Sequence, residues 1–284
     1  MTAWLASALA LTSALVYGAA DFLGGLATKR GSTVFSAVVW SQATGLLLVL
    51  LVLPFLPPAS PTAADLAWGA ASGLAGGIGL AFLYRGLAVG VMSVVAPVTA
   101  VCAVIIPVAV GVALGERPSG AASAGIVLAL VAIVLISQSG ETDGGGKRAR
   151  TGVPIAIASG VAIGIFLVCL ERTGPAAGLW PLVPARVVSV SFFAIAGLLA
   201  RQSLVPRRES WSIVVGGGAL DMVANVLYLL AVRQGPLSIV ATLTSLYPAG
   251  TILLARIVLH ERLRFVQQAG VACAVLAIVL IVAG

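Results

Sequence analysis

Residues 124–136, AGIVLALVAIVLI, and residues 269–281, AGVACAVLAIVLI, agree at eight of thirteen positions without a gap. Runs of Ala, Val and Leu match easily by chance, so these apolar blocks alone carry little. The polar residues around them keep the same register. A spacing of 145 pairs Ser93 with Ser238, Thr99 with Thr244, and Glu116-Arg117 with Glu261-Arg262, and a spacing of 144 pairs Tyr84 with Tyr228. Together they point to an internal duplication.

Composition sets the solvent in which the two copies fold. Of 284 residues, 60% are hydrophobic and 9% charged, against roughly 25% charged in a soluble domain. Nine acidic and sixteen basic side chains cannot coat a water-facing surface of this size. A membrane helix needs about 20 mostly apolar residues, and ten such stretches occur: 4–27, 34–53, 66–88, 93–114, 121–138, 152–170, 181–200, 211–231, 237–258 and 265–283. The expected fold is therefore an all-α membrane protein of ten transmembrane helices. Residues 1–140 form a first five-helix repeat, 141–151 a hydrophilic linker carrying Gly144, Gly145, Gly146, Lys147 and Arg148, and 152–284 a second repeat. Residues 1–4 hold no Lys or Arg, so the first apolar stretch is expected to be retained rather than removed as a signal peptide.

Five is odd. A repeat with an odd number of crossings re-enters the membrane the other way up, so the copies are expected to be inverted-topology repeats, an arrangement common among secondary transporters. The odd-numbered gaps between spans, with the last turns of the spans that lead into them (Arg85 and Arg256), hold twelve basic residues (Lys29, Arg30, Arg85, Lys147, Arg148, Arg150, Arg201, Arg207, Arg208, Arg256, Arg262, Arg264), and the others hold three (Arg117, Arg172, Arg233). The positive-inside rule then puts both termini outside the cytoplasmic membrane.

A charge inside a span costs about 2.5–3.5 kcal/mol or more, so Asp21, Arg186 and Asp221 each need a reason. Gly217, Asp221, Asn225 and Tyr228 recur at helical spacing and form one stripe. The repeat spacing maps that stripe onto Gly73, Gly77, Ala81 and Tyr84. Two such faces opposed across a pseudo-twofold axis would enclose a cavity, polar on one wall; alternatively, Gly69, Gly73 and Gly77 are a close helix-packing face. Arg186 could meet Asp221 or Asn225, as a structural pair or as an anion-recognising group. Tyr17 and Asp21 share a face of the first span, where Asp21 could instead pair with Lys29 or Arg85. Gln42 is a further cavity candidate. Burial favours the protonated form of a carboxylate, which makes Asp21 and Asp221 candidates for proton coupling. Pro97, Pro107 and Pro248 interrupt equivalent spans and are hinge candidates.

Other chemistries lose ground by counting. Cys102, Cys169 and Cys273 have no paired spacing, and His260 is the lone histidine, which removes zinc sites, redox dithiols and His-based triads. No catalytic residue, metal site or cofactor is expected. Aromatic residues are too dispersed to stack bases, so the basic balance is topogenic and no nucleic-acid partner is expected.

Residues 17–25 (YGAADFLGG), Ala96-Pro97 through Glu116-Arg117, and Ser245 through Pro248 to Glu261-Arg262 resemble the ten-helix EamA-type branch of the drug/metabolite transporter superfamily over essentially the whole chain. The resemblance implies a substrate cavity between the halves, lined mainly by spans 1–4 and 6–9. It implies movement of a small metabolite or drug, commonly export, without ATP, and it makes Glu116 and Glu261 structural caps. Described members are usually drawn with cytoplasmic termini, opposite to the charge count here. The expected function is a secondary active transporter of the cytoplasmic membrane working by alternating access, with a small-molecule substrate, the lipid bilayer and protons as partners. An uncoupled facilitator or exchanger of amino acids or related metabolites is the alternative, and a membrane-embedded enzyme acting on lipid a remote one. Oligomeric state, substrate and coupling ion are not legible.

Overall fold

The computed structural model describes residues 2–89, 92–136, 145–248, 250, 254 and 265–283. Among them there are ten α-helices and no strand: α1 (Thr2–Lys29), α2 (Val34–Val52), α3 (Ala63–Val89), α4 (Met92–Ala113), α5 (Gly120–Ile136), α6 (Gly145–Glu171), α7 (Leu182–Leu199), α8 (Trp211–Val232), α9 (Leu237–Thr244) and α10 (Phe265–Ala283). Six, namely α1, α2, α3, α6, α7 and α8, are long and apolar enough to cross a bilayer; α4, α5 and α10 carry shorter apolar stretches. The outward faces are apolar, with Leu47, Leu51, Val127, Ile195, Leu198 and Leu276 all exposed, as expected where lipid replaces water.

Helix ends follow local chemistry. Thr33 caps α2, its hydroxyl accepting the Ser36 N–H at 3.0 Å. Thr62 and Asp65 form a reciprocal box at the start of α3: the Asp65 N–H donates to Thr62 Oγ1 and the Thr62 N–H to Asp65 Oδ2, satisfying two otherwise orphan donors. Gly31 and Gly115, at φ +88° and +97°, follow α1 and α4 in the left-handed conformation glycine tolerates.

Two boundaries differ from the sequence expectation: α9 ends at Thr244, inside the expected span 237–258, and α6 starts before the expected residue 152. Residues 145–151, assigned to the linker, are the first two turns of α6. Lys147, Arg148 and Ala149 are good helix formers, and a helix extends past the apolar zone wherever its backbone can continue to bond to itself. The other linker residues, 141–144, lie outside the described residues, as do Glu261, His260 and most of 251–264.

The helix pairings have readable directions. Along α1, Ser13 donates to the Ala224 carbonyl at 2.8 Å while Leu23 lies over Gly217, so α1 and α8 are antiparallel. Phe166 at Gly76 and Ser159 at Gly79 make α3 and α6 antiparallel. Phe35 at Gly197 and Gln42 at Arg186 do the same for α2 and α7. Gly69, Gly73 and Gly77 of α3 meet Pro181, Ala185 and Ser189 in order, so α3 and α7 are parallel; Gly218 at Ser41 and Met222 at Gly45 make α8 and α2 parallel too. A methyl group built on Gly69 or Gly73 would overlap a carbonyl oxygen of α7. The glycine stripe is thus a close packing face.

Candidate functional site

The directions bring the polar positions of α1, α2, α7, α8 and α9 together around a partly open cavity of about 70 Å³ between the helices. Tyr17 and Asp21 enter from α1, Gln42 from α2, Arg186 from α7, and Asp221 and Asn225 from α8. Thr244, Ser245 and Tyr247 enter from the end of α9, and the opposite wall, from α3 and α6, is mostly apolar, with Gly73, Gly76, Gly77, Leu80, Ile163, Phe166 and Leu167 beside Ser72, whose hydroxyl is spent on the Gly69 carbonyl. The polar stripe and the glycine stripe therefore face one hollow, although the latter also serves packing.

At its centre is a buried charge cluster. Arg186 Nη2 donates to Asp221 Oδ2 at 2.8 Å, with the two side chains 7% and 13% exposed. Arg186 Nη1 donates to Gln42 Oε1, and Gln42 Nε2 reaches Asp221 Oδ2 at 3.4 Å. Three helices from both ends of the chain thus converge on one carboxylate. Asn225 Nδ2 donates to the Asp221 main-chain carbonyl at 2.6 Å. A carbonyl accepts only, so this bond fixes the amide's orientation and leaves Oδ1 as an acceptor.

Asp21 is different. It is buried and opens to the cavity, and among the described residues it makes no ion pair or hydrogen bond. The pairing with Lys29 or Arg85 considered from sequence is not formed. Several other lining atoms are buried without a protein partner: Tyr17 Oη, Arg186 Nε, Asn225 Oδ1, Thr244 Oγ1 and Ser245 Oγ. Buried polar atoms are rarely unsatisfied, so their convergence on one hollow marks it as a place for water or a polar ligand.

The break at the end of α9 has a chemical cause. The helix stops at Thr244, Ser245 and Leu246 form a turn, and Tyr247 and Pro248 are helical again. Pro248 has no N–H to give to the Thr244 carbonyl four residues back, and its ring crowds that oxygen. Pro248 thus accompanies an interruption that presents Thr244 and Ser245 to the cavity. Pro97 and Pro107 lie within α4, which runs unbroken from Met92 to Ala113; the expected matching interruption there is corrected.

Two expected lining residues are elsewhere. Tyr228 is fully buried and donates to the Leu167 carbonyl at 3.0 Å, in the apolar core. Tyr84 is buried with its ring and hydroxyl against Gly24 of α1. Both follow the stripe periodicity, but each sits a turn beyond the cavity, where a large ring fills the helix interface. Conversely, Thr244, Ser245, Tyr247 and Phe166 were not singled out as site residues. The signal for Thr244 was its pairing with Thr99, and for Ser245 its place just before Pro248.

Glu116 lies away from the cavity. Its carboxylate accepts the N–H groups of Leu237 at 2.6 Å and Ser238 at 3.0 Å, capping the first turn of α9 from the α4–α5 connection, as a negative group should at a helix N-terminus. No group of three or more His, Cys, Asp or Glu side chains suited to a metal occurs among the described residues.

Residues 150–283 match the EamA-like transporter family, consistent with the drug/metabolite transporter superfamily. The match covers somewhat less than half of the chain, and six of the described helices are long and apolar enough to cross a membrane. A search of the curated proteins finds no match. Among 28 matching solved chains, one crystal structure of a protein superposes with a TM-score of 0.76, covering 97% of this chain and 95% of that one at 18% identity; at that identity the likeness is one of fold.

Proposed function

We propose that this EamA-like chain is a secondary transporter that carries a small metabolite or drug across the cytoplasmic membrane by alternating access, in the outward direction, with protons as the coupling ion. The observation that carries the reading is the hollow between the helices, with a polar wall and unsatisfied donors and acceptors contributed by both halves. A scaffold protein has no use for such a hollow. A lipid-modifying enzyme would need a nucleophile beside a base there, whereas Asp221 is tied to Arg186 and Asp21 stands alone.

Inverted repeats, with units 1–140 and 152–284, are supported by the helix directions. Stepping from α1 through its antiparallel partner α8, then α2, α7, α3 and α6, reverses the chain three times, so α1 and α6 run oppositely. Exchanging the halves also maps the pairings onto one another: α1–α8 onto α6–α3, α3–α7 onto α8–α2, and α2–α7 onto itself. Gln42 and Arg186, which bond to each other, lie 144 residues apart, the repeat spacing itself, so their contact straddles the pseudo-twofold axis. Two inverted halves can exchange conformations and open the same site alternately to each side. The break in α9 beside the cavity, with no counterpart in α4, suits a structure in which one half is in a different state from the other.

Orientation rests on charge. Arg207 packs on Gly31, and its N–H reaches Ser32 Oγ at 3.3 Å, which joins two of the basic loops on one face. That face is proposed as cytoplasmic, with the termini outside. Of the two proton candidates Asp21 is favoured here, because among the described residues it has no paired cation, whereas Asp221 is matched by Arg186. The test is proton-driven flux in proteoliposomes. Substrate counterflow that vanishes on adding bulk at Gly77 supports the carrier reading, and absence of any exchange across a broad metabolite and drug panel refutes it.

A further inference from the structure

We infer that the cavity selects a protonated aliphatic or arylalkyl amine, with Asp21 as its ion-pair partner and one proton released for each amine bound. The inference rests on the carrier reading above and adds to it the class of substrate.

The charge inventory of the hollow carries it. Among the described residues that line the hollow, Arg186 is the one cation, and it is committed to Asp221 and Gln42. Asp21 therefore remains, among the described residues, an uncompensated carboxyl in a largely apolar space. A lone buried charge is very costly, so this group holds either a proton or a cation, and the two exclude each other. The titratable groups facing it are Tyr17 on its own helix, Tyr84 from α3, Tyr247 from α9, and Asp221 from α8 with its Arg186. None of these supplies a free positive charge.

The remaining partners suit an ammonium group, which is purely a donor. Asn225 Oδ1 accepts only, by the orientation its own bond fixes. Tyr17, Thr244 and Ser245 offer hydroxyl oxygens, and the Thr244 carbonyl has lost its helical donor to Pro248. An anion could take donors from the same hydroxyls and from Arg186 Nε, but it would lie beside two carboxyl groups and a single guanidinium that is already paired. The facing wall of Leu80, Ile163, Phe166 and Leu167 takes hydrocarbon, and Phe166 provides a ring face near a cation. An amine with an apolar tail matches both walls, whereas a carboxylate with the same tail matches the apolar wall alone.

The test uses the purified full chain in lipid nanodiscs and a matched set of probes: n-butylammonium, phenethylammonium, butyrate and n-butanol. Binding is read by calorimetry, and proton release by pH in weakly buffered solution. The expected result is that the amines bind with release of about one proton each, while butyrate and butanol do not. Asp21→Asn should lower amine affinity by about tenfold or more, since a hydrogen bond to a charged group is removed, and abolish proton release. Asp21→Glu, which keeps the charge, should retain both and so control for folding. Preference for butyrate, amine binding without proton release, no binding of any amine, or undiminished binding to a folded Asp21→Asn protein would overturn the inference. Counterflow of some other substrate class in the same preparation would leave the carrier reading intact while the amine assignment failed.

Discussion

Breaking the Arg186–Asp221 pair from one side should cost more than removing it altogether. The contact is 2.8 Å long and nearly closed to solvent, so two unit charges at an effective dielectric near 20 and a centre separation of about 4 Å attract by roughly 4 kcal/mol. That attraction offsets the desolvation of both ions. Removing one partner leaves the other buried and unmatched, at a cost of about 3–5 kcal/mol, whereas replacing both with uncharged groups of similar size is often neutral or stabilising. Asp221→Asn leaves a buried guanidinium without its counter-ion, and Arg186→Met leaves a buried carboxyl without its own. Each single variant should therefore melt on the order of 10 °C lower. The double variant Arg186→Met/Asp221→Asn should recover most of the loss, giving a coupling of at least about 2 kcal/mol in a double-mutant cycle. The assay is thermal unfolding in detergent, monitored by tryptophan fluorescence. A single Asp221→Asn variant as stable as the parent, or a double variant no better than either single, would refute the reasoning.

The two tyrosine positions give a contrasting pair. Tyr228→Phe should cost about 0.5–1.5 kcal/mol of stability by freeing the Leu167 carbonyl and leave substrate affinity unchanged, while Tyr17→Phe should leave melting unchanged and alter binding, both read on the same purified samples. Gly73→Ala should destabilise by about 1–3 kcal/mol because the added methyl overlaps the Ala185 carbonyl. Gly216→Ala, whose methyl would meet only Leu23 at 3.8 Å, should be neutral or slightly stabilising in the same melting assay. Pro248→Ala restores an N–H for the Thr244 carbonyl, so α9 should run through the break; slower amide exchange at 244–248 and slower counterflow with binding retained are the expected outcome. Glu116→Gln should lower stability by about 1 kcal/mol through the weakened cap on α9, without changing ligand binding.

Much of the helical architecture was legible because membrane helices announce themselves by length. The sequence spans and the observed helices agree within a few residues wherever an apolar run meets a polar or Pro/Gly-rich gap, as at Val52 and Leu182. They diverge at 145–151, since hydropathy marks where lipid ends and not where backbone bonding ends. Asp221, Arg186 and Gln42 were legible as site candidates because a charge or amide at bilayer depth has few innocent explanations. That all three converge on one another was not, because it depends on how α2, α7 and α8 cross. Periodicity extended the stripe to Tyr84 and Tyr228, but a cavity is shorter than a helix, and the last member of each stripe falls into packed core. Thr244 and Ser245 were hidden for the opposite reason: their exposure to the hollow comes from a helix break, and a hydroxyl in a continuous helix would have bonded to its own backbone.

Accessibility of Ser245 from the two sides of the membrane tests the central claim most directly. With Cys102, Cys169 and Cys273 replaced and Ser245→Cys introduced, the protein is oriented in vesicles and treated with a membrane-impermeant thiol reagent from one side at a time. The account predicts labelling from both sides, each slowed by bound substrate, because one hollow is presented alternately. Labelling from a single side under all conditions, or from neither, would contradict it.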